Sequence, residues 1–375
     1  LSLAGRYDNY KNDFGVSFNK FSPKVGLRWT PSKSVLVRAS AAQGFRAPTL
    51  YENLRPFTTG NNTNGVYSDP LRCPDGKPNP AATFPVDKRQ DECEVQLPAS
   101  NQGNMNLKPE KSTQYSMGLV FAPTNSFSGA IDYWNIRIDD SIQQFSEQTI
   151  IQNPTQFADN YYRFDPRKNP ELLNNPRGVK GLNDPRLIKG NGNVDFPLAF
   201  IYTPQTNTAQ FFASGIDLNL NYRFRIENIG AFSVNYDGTY LLTHGYQYPN
   251  LPKVSDNGVY QDYAVAPRYR HSATLVYNRG SWSASLTDNF TLHYVDFADK
   301  TKKQDPRDVA SYNTWDAQVT WRGIKNLDLG LGIRNILDQD PPSSRTTQNF
   351  QTGYDAQFTN PLGRTFYARA KYKFW

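Results

Sequence analysis

The sequence predicts an all-β protein, an antiparallel transmembrane β-barrel. Three observations predict it. Segments with an apolar residue at every second position recur along the chain, aromatic residues make up 14% of it, and short and long connections alternate. Successive side chains of a strand point to opposite faces. Each such segment therefore has one apolar face and one polar face, as a barrel wall requires.

The segment "GIDLNLNYRF" shows the pattern most clearly. Its apolar residues occupy every second position from Ile216 to Phe224, and the polar residues from Asp217 to Arg223 lie between them. The segments "PKVGLRW", "QYSMGLVF", "WDAQVTW" and "LDLGLGIRN" repeat it. About twelve strands meet this period-two criterion.

The chain ends in the same pattern. In "GRTFYARAKYKFW", Phe366, Tyr372 and Phe374 share one face with two alanines, whereas Arg369 and two lysines share the other. In a membrane barrel the apolar face meets lipid and the cations line a watery lumen.

The lengths of the connections alternate along the chain. In an antiparallel meander, alternate connections lie at opposite ends of the sheet, so all the long ones share one end. Short turns at one end and long loops at the other are typical of outer-membrane barrels, whereas a soluble β-sandwich has no reason for this asymmetry. The short connections centre on residues 30–33, 122–125, 225–230, 278–281 and 323–326. The long ones cover residues 9–19, 44–107, 140–206, 243–265, 297–308 and 339–360.

Composition excludes several other classes of protein. The mean hydropathy is −0.68, and no apolar run reaches the length of about 18 residues that a membrane helix needs. The net charge is +7, but Lys and Arg do not form a patch and no nucleic-acid-binding motif is present, so we expect no nucleic-acid partner. His244, His271 and His293 lie far apart in sequence. With no catalytic or metal-binding arrangement around them, we expect neither enzyme activity nor a cofactor.

The two cysteines lie in a polar, proline-rich segment. Cys73 and Cys93 are twenty residues apart, which suits a disulfide that fastens a long loop in an oxidising compartment. Two free thiols are the alternative, and a metal site is disfavoured because neither cysteine has a second cysteine or a histidine nearby.

The loops contain the candidate residues for substrate contact. The loop over residues 140–206 is far longer than an ordinary connection and is therefore expected to be functional or disordered. Aromatic rings beside an arginine suit an anionic iron chelate and suit a sugar or haem almost as well, although ordinary loop packing also explains them. The candidates are Tyr161, Tyr162, Arg163, Phe164, Tyr246 and Tyr248.

Five segments in order resemble the TonB-dependent outer-membrane receptor family. They are "FSPKVGLRWTPSKSVLVRASAAQGFRAPTLYEN", "GNMNLKPEKSTQYSMGLVF", "ASGIDLNLNYRF", "GIRNILDQDPP" and "GRTFYARAKYKF". The resemblance implies that residues 1–375 are the C-terminal portion of the family's barrel, with about the last 12 of 22 strands. The plug domain and the first barrel strands are then absent from this chain. Trp375 departs from the family pattern, in which chains more often stop at the phenylalanine.

The resemblance also implies a function. A receptor of this family takes up a scarce solute across the bacterial outer membrane, with energy from the TonB complex acting through the plug. We expect a ferric siderophore as the transported ligand; haem, cobalamin or an oligosaccharide are alternative substrates, and a passive porin or a surface adhesin is the alternative function. Outer-membrane lipid and lipopolysaccharide are expected to surround the barrel, together with its missing N-terminal half.

In this family the terminal strand is the signal that the barrel-assembly machinery reads, which here implies Phe366, Tyr372, Phe374 and Trp375. The opening residues "LSLAGRYDNY" show no signal-peptide pattern and resemble the middle of a strand. We therefore expect a processed or truncated N-terminus.

Overall fold

A computed structural model describes residues 1–11, 15, 17–84, 92–175, 178–261, 264–296, 305–345 and 353–374. Its α-helices are α1 (Leu50–Leu54), α2 (Glu147–Gln152) and α3 (Glu171–Asn174). No helix in these ranges is long and apolar enough to cross a membrane. The strands are β1 (Ser2–Lys11), β2 (Ser17–Ser32), β3 (Val35–Arg46), β4 (Thr58–Asn62), β5 (Pro98–Asn101), β6 (Glu110–Thr124), β7 (Phe127–Gln144), β8 (Tyr161–Phe164), β9 (Leu187–Lys189), β10 (Leu198–Tyr202), β11 (Gln205–Ile226), β12 (Gly230–Gln247), β13 (Val254–Ser255), β14 (Tyr269–Arg279), β15 (Trp282–Thr291), β16 (Tyr294–Val295), β17 (Asp308–Val309), β18 (Tyr312–Ile324), β19 (Leu327–Arg334) and β20 (Thr365–Tyr372).

Twelve long strands form one antiparallel sheet. Their order is β1-β2-β3-β6-β7-β11-β12-β14-β15-β18-β19-β20, and the short β13 pairs with β12 beside this path. Each strand of this path pairs with the path strands that precede and follow it in the chain. Strands β4, β5 and β8 to β10 belong to the long loops. The predicted meander of about twelve strands is therefore confirmed, and so is the alternation of short turns with long connections. In the described chain, β1 and β20 are the two edges of the sheet.

Strand pairing assembles the apolar residues of successive strands into one continuous face. Leu119 pairs with Ile131, which pairs with Leu218, and all three side chains are at least 36% exposed. A soluble monomer rarely exposes more than a few hundred Å² of contiguous apolar surface, and this face runs across the whole sheet. We call it the apolar face and the opposite one the polar face. Other large exposed side chains on the apolar face are Val25, Leu27, Met117, Leu275, Leu286, Val319 and Leu331.

Aromatic side chains line the apolar face near the short turns. The rings of Phe224 and Phe232 stack at 5.1 Å, and Phe232 lies 5.0 Å from Tyr277. Trp282 and Trp321 lie 6.3 Å apart on the next strands. Rings with an apolar body and a polar edge favour the boundary between hydrocarbon and water, so this row has the composition of an interfacial girdle.

One ionisable pair interrupts the apolar face near the long-loop end. His271 Nε2 lies 3.1 Å from Asp288 Oδ2, and both side chains are largely buried. The rings of Tyr236 and Phe290 stack on His271 at 5.5 and 5.2 Å. The two side chains are thus paired through one atom each and covered by aromatic rings, whereas His271 Nδ1 and Asp288 Oδ1 are buried without a hydrogen-bond partner.

The polar face is held together by interactions that reach across a glycine. Arg38 on β3 makes two hydrogen bonds, of 2.7 and 2.6 Å, to the carboxylate of Asp132 on β7. The intervening strand β6 has Gly118 at this position, and a Cβ there would lie 1.8 Å from Asp132 Oδ1. The absence of a side chain at Gly118 is therefore what lets the two charges meet.

The three longest strands extend well beyond what a membrane crossing needs. Strand β11 has 22 residues, and β7 and β12 have 18 each. At about 3.3 Å per residue and a tilt of about 45°, β11 rises about 50 Å, twice the apolar band of about 25 Å. The upper parts of these strands therefore stand clear of the band and support the long loops.

The terminal strand has the predicted alternation. Phe366 and Tyr372 on β20 are 70% and 54% exposed on the apolar face, and Phe374 just beyond the strand is 79% exposed. On the polar face the Tyr367 hydroxyl donates to Gln318 Oε1 at 2.9 Å. Trp375 lies outside the described residues.

We predict that Gly118→Ala destabilises the full-length protein by about 1 kcal/mol, because Asp132 must turn away and leave Arg38, whose side chain is 51% exposed, without its carboxylate. Gly330→Ala is the matched control, since the atom nearest to a new Cβ there is 3.7 Å away. Urea unfolding in detergent, followed by tryptophan fluorescence, measures the difference. Equal midpoints for the two variants would show that the Arg38–Asp132 pair contributes nothing.

Candidate functional site

The two longest loops fold together into one unit above the sheet. The loop over residues 47–109 supplies β4 and β5, and the loop over 145–204 supplies β8, β9 and β10. These strands form a sheet in the order β4-β5-β10-β8-β9. The loops join where β5 and β10 pair in parallel, with Ile201 opposite Ala99. We call this unit the cap.

Both faces of the cap sheet are covered by apolar residues. Tyr161 packs in a cluster with Leu97 and Ile150, and Tyr162 and Phe164 pack in a second cluster on the other face. The Tyr161 hydroxyl donates to the Ile150 carbonyl at 3.1 Å, and burial raises the pKa of this tyrosine. The cap is therefore a small folded body with its own core.

Each of the two loops sends one arginine into the other. Arg163 makes two bonds of 2.7 Å to Asp69, and Arg72 bonds Glu92 at 2.8 Å and the carbonyl of Val194. All four charged side chains are at most 2% exposed. Buried charges without partners cost several kcal/mol, so these contacts fix how the loops fit together.

The predicted disulfide is present. Cys73 and Cys93 are bonded, with their Cα atoms 5.5 Å apart, inside the loop over residues 47–109. Closing a loop of this length removes conformational freedom from the unfolded chain and stabilises the fold by about 3 kcal/mol.

Five of the six residues predicted to contact substrate are buried, and this corrects the expectation for them. Each of Tyr161, Tyr162, Arg163 and Phe164 lies on β8 and is at most 6% exposed, because both faces of that strand are covered. Tyr248 is 4% exposed, and its ring lies 4.7 Å from that of Phe145. These side chains contact the cap itself, as the loop-packing alternative proposed.

Tyr246 is the sixth candidate and lies at the end of β12. It is half-buried, and its ring is 5.1 Å from that of Tyr248. Strand pairing places it opposite Phe211 on the polar face. Tyr246 is therefore still positioned to contact a ligand on the polar face of the sheet.

Tyr246 belongs to a group on the polar face that the sequence did not reveal. Its members are Trp134 on β7, Phe211 on β11, and His244 and Tyr246 on β12, each partly exposed. Phe211 lies edge-on to His244 at 5.2 Å, and the Trp134 ring covers Gly215, where a Cβ would be 2.7 Å away. We call these four residues the mouth patch.

A β-bulge brings His244 and Tyr246 to the polar face. The register of β12 shifts between Leu241, which pairs with Gly215, and Thr243, which pairs with Ser214, so Leu242 is an extra residue. Strict alternation would put His244 on the apolar face together with Tyr240. The bulge reverses that alternation, and a period-two analysis of the sequence cannot detect it.

Small residues leave space beside the mouth patch. Ser40, Ala42, Gly44, Ser112 and Ser116 lie on the polar face of β3 and β6, with Gln114 as the one long side chain between the two serines of β6. Ser40 and Ser116 hydrogen-bond to each other at 3.0 Å. Aromatic side chains thus lie next to small polar ones on this face.

The long loops outside the cap pack into a separate apolar cluster. Tyr260, Val265, Tyr294 and Val309 form its core, with Phe358 against it. Burial raises the pKa of Tyr294. The described residues contain no group of three or more His, Cys, Asp or Glu side chains that could hold a metal ion.

The family follows from the sequence comparison. The family described as TonB dependent receptor-like, beta-barrel, matches residues 1–336. The chain therefore belongs to the TonB-dependent receptors and forms part of their β-barrel. No curated protein matches the chain in sequence.

Solved structures share the fold at low sequence identity. A variant of the ferric enterobactin receptor of Pseudomonas aeruginosa has a TM-score of 0.57 at 16% identity, over 94% of this chain and 40% of that one. The siderophore receptor PirA of Acinetobacter baumannii has a TM-score of 0.58 at 14% identity, over 94% and 41%. The FrpB iron transporter of Neisseria meningitidis has a TM-score of 0.55 at 13% identity, over 99% and 43%. The chain thus spans about two fifths of the length of these structures.

We predict that Arg163→Met opens the cap, because it leaves the buried Asp69 carboxylate without its cation, with only the Leu71 and Arg72 backbone N–H groups to bond it, at a cost of about 3–5 kcal/mol. Arg167→Met is the matched control. Arg167 pairs with Asp195 at 3.1 Å but is 56% exposed, so its loss costs at most about 1 kcal/mol. Protease cleavage of the cap on the full-length protein measures both; similar cleavage rates would contradict the role given to Arg163.

Proposed function

We propose that this chain is the wall and the loop cap of an outer-membrane receptor that takes up an organic iron complex, with a ferric siderophore as the leading candidate. The long-loop end faces outward and receives the ligand. The ligand then passes along the polar face, which lines the lumen. A plug domain and the missing barrel strands, in the part of the receptor outside this chain, complete the pore and couple it to the TonB complex.

The mouth patch is the observation that carries this proposal. It places two large aromatic rings, a phenol and an imidazole on the lumen side, where the long strands rise out of the apolar band. Aromatic side chains provide large, rigid contact area at low entropic cost. They suit the flat aromatic or conjugated groups that organic iron chelators contain.

An arginine on the polar face also supports an iron complex. Arg270 lies on the polar face, opposite Thr239 and 5.5 Å from the ring of Phe358. It has no ion-pair partner among the described residues, whereas Arg38 and Arg46 are paired with carboxylates. A cation on the polar face without a carboxylate partner attracts a ligand with net negative charge.

The apolar face supports the proposed location. Its exposed aliphatic side chains and its row of aromatic rings suit contact with outer-membrane lipid and lipopolysaccharide. In hydrocarbon, each backbone group must be paired inside the sheet. The edges at β1 and β20 therefore need the missing strands, and we propose that those strands close the barrel.

Uptake is tested with a deletion strain that carries the full-length receptor. We expect growth on at least one ferric siderophore under iron limitation, loss of that growth when the TonB complex is removed, and binding of the same chelate to purified receptor. Ion conductance without chelate binding would favour a porin, and ligand binding without growth would favour a surface receptor.

We predict that Tyr246→Ala weakens binding of the transported chelate by about tenfold, equivalent to about 1.4 kcal/mol, because an aromatic contact on the lumen side is lost. Tyr240→Ala is the matched control, since Tyr240 lies on the same strand but on the apolar face, 44% exposed. Fluorescence quenching on the full-length receptor measures both affinities. Equal losses would show that Tyr246 acts through stability alone.

The terminal strand is proposed as the assembly signal. We predict that the double variant Tyr372→Ser with Phe374→Ser reduces the amount of folded receptor in the outer membrane severalfold, because the apolar face of the last strand loses its rings. Lys371→Ser with Lys373→Ser is the control on the opposite face. Heat-modifiable migration of the receptor from membrane fractions reports the folded amount, and undiminished assembly of the first variant would disprove the role.

A further inference from the structure

His244 is held in one orientation by a buried carboxylate. Its Nδ1 lies 2.6 Å from Asp256 Oδ1, and the Asp256 side chain is 8% exposed. A carboxylate at this distance accepts a hydrogen bond from Nδ1–H and so favours the tautomer whose lone pair lies on Nε2. Metal-ligating histidines share this arrangement, because a hydrogen bond behind the ring fixes the tautomer and raises the basicity of the other nitrogen.

The backbone around His244 is fixed as well. Gly245 has φ of +151°, and a Cβ there would lie 2.1 Å from the carbonyl oxygen of Val254. Only glycine therefore permits the close approach of β13, whose Ser255 hydroxyl donates to the His244 carbonyl at 3.2 Å. Phe211 packs edge-on against the imidazole. The ring is thus positioned by contacts on several sides.

The Nε2 atom of His244 has no hydrogen-bond partner among the described residues, and the side chain is 27% exposed on the lumen side. No cluster of three metal-ligating residues exists in the described ranges. A single imidazole cannot hold a bare ion, but it can complete the coordination of a metal that arrives with most of its ligands. The neighbouring rings of Trp134 and Tyr246 would contact the organic part of such a complex.

We infer that His244 ligates the iron of a complex whose chelator leaves at least one coordination position open. This inference rests on the proposed function and narrows its substrate class. The Nε2 lone pair forms a coordinate bond to ferric iron, and the water or hydroxide at the open position leaves; no electron is transferred. A chelator that supplies six donors leaves no position for the imidazole. Two sources share the required chemistry: a planar four-donor macrocycle and a siderophore with four donor atoms.

The test uses the full-length receptor and three probes: ferric protoporphyrin IX, the ferric complex of a tetradentate bis-catecholate, and the ferric complex of a hexadentate tris-catecholate. His244→Asn keeps a donor to Asp256 at the place of Nδ1 and removes Nε2. His293→Asn is the control, an exposed histidine in another loop. Affinity is measured by fluorescence quenching, and iron coordination by the visible absorption of each complex.

We expect His244→Asn to weaken binding of one of the two open-site complexes by about tenfold or more and to shift its absorption spectrum. Binding of the hexadentate complex should stay within about twofold, and His293→Asn should change neither. The identity of the affected probe separates the macrocycle from the tetradentate siderophore. Unchanged affinity and spectra for both open-site complexes, or equal losses for all three probes, would overturn the inference while leaving the proposed function intact. If the unmodified receptor binds no iron complex, the proposed function fails and the inference fails with it.

Discussion

The pairing of backbone amides and carbonyls is the constraint on which the rest of this molecule depends. In hydrocarbon an unpaired backbone group costs several kcal/mol, so a chain that crosses the membrane as strands must satisfy every group across its ladders. The antiparallel order from β1 to β20 does this for each inner strand. The two-faced pattern follows from the same geometry, since a paired strand presents alternate residues to lipid and to the lumen.

The wall of the barrel could be read from the sequence because each strand repeats a local signal. The alternation of apolar and polar residues around Ile216 and in the terminal run from Phe366 is present in the paired strands. The disulfide between Cys73 and Cys93 could be predicted because these are the two cysteines of the chain and both lie in one polar loop. The pairing partners themselves required the family resemblance or the structure.

The loops could not be read in the same way. The run from Tyr161 to Phe164 has the composition of a binding surface, but it is a strand covered on both faces, and its arginine is matched by an aspartate 94 residues away. Such a match is a long-range contact without a local signature. The mouth patch could not be predicted from the sequence either, because one additional residue at Leu242 reverses the face of the sheet on which the side chains of His244 and Tyr246 lie.

The cap has a mechanical consequence for the hairpin beneath it. The loops that it joins leave β3 and β7 and return to β6 and β11, so they straddle the β6–β7 hairpin. If that hairpin slid by two residues against its neighbours, the loop ends would separate by about 7 Å. The arginine contacts that cross between the loops, Arg163 to Asp69 at 2.7 Å and Arg72 to the Val194 carbonyl at 2.5 Å, could not stretch that far. The cap thus works as a diagonal brace that resists shear between the β6–β7 hairpin and the strands on either side of it.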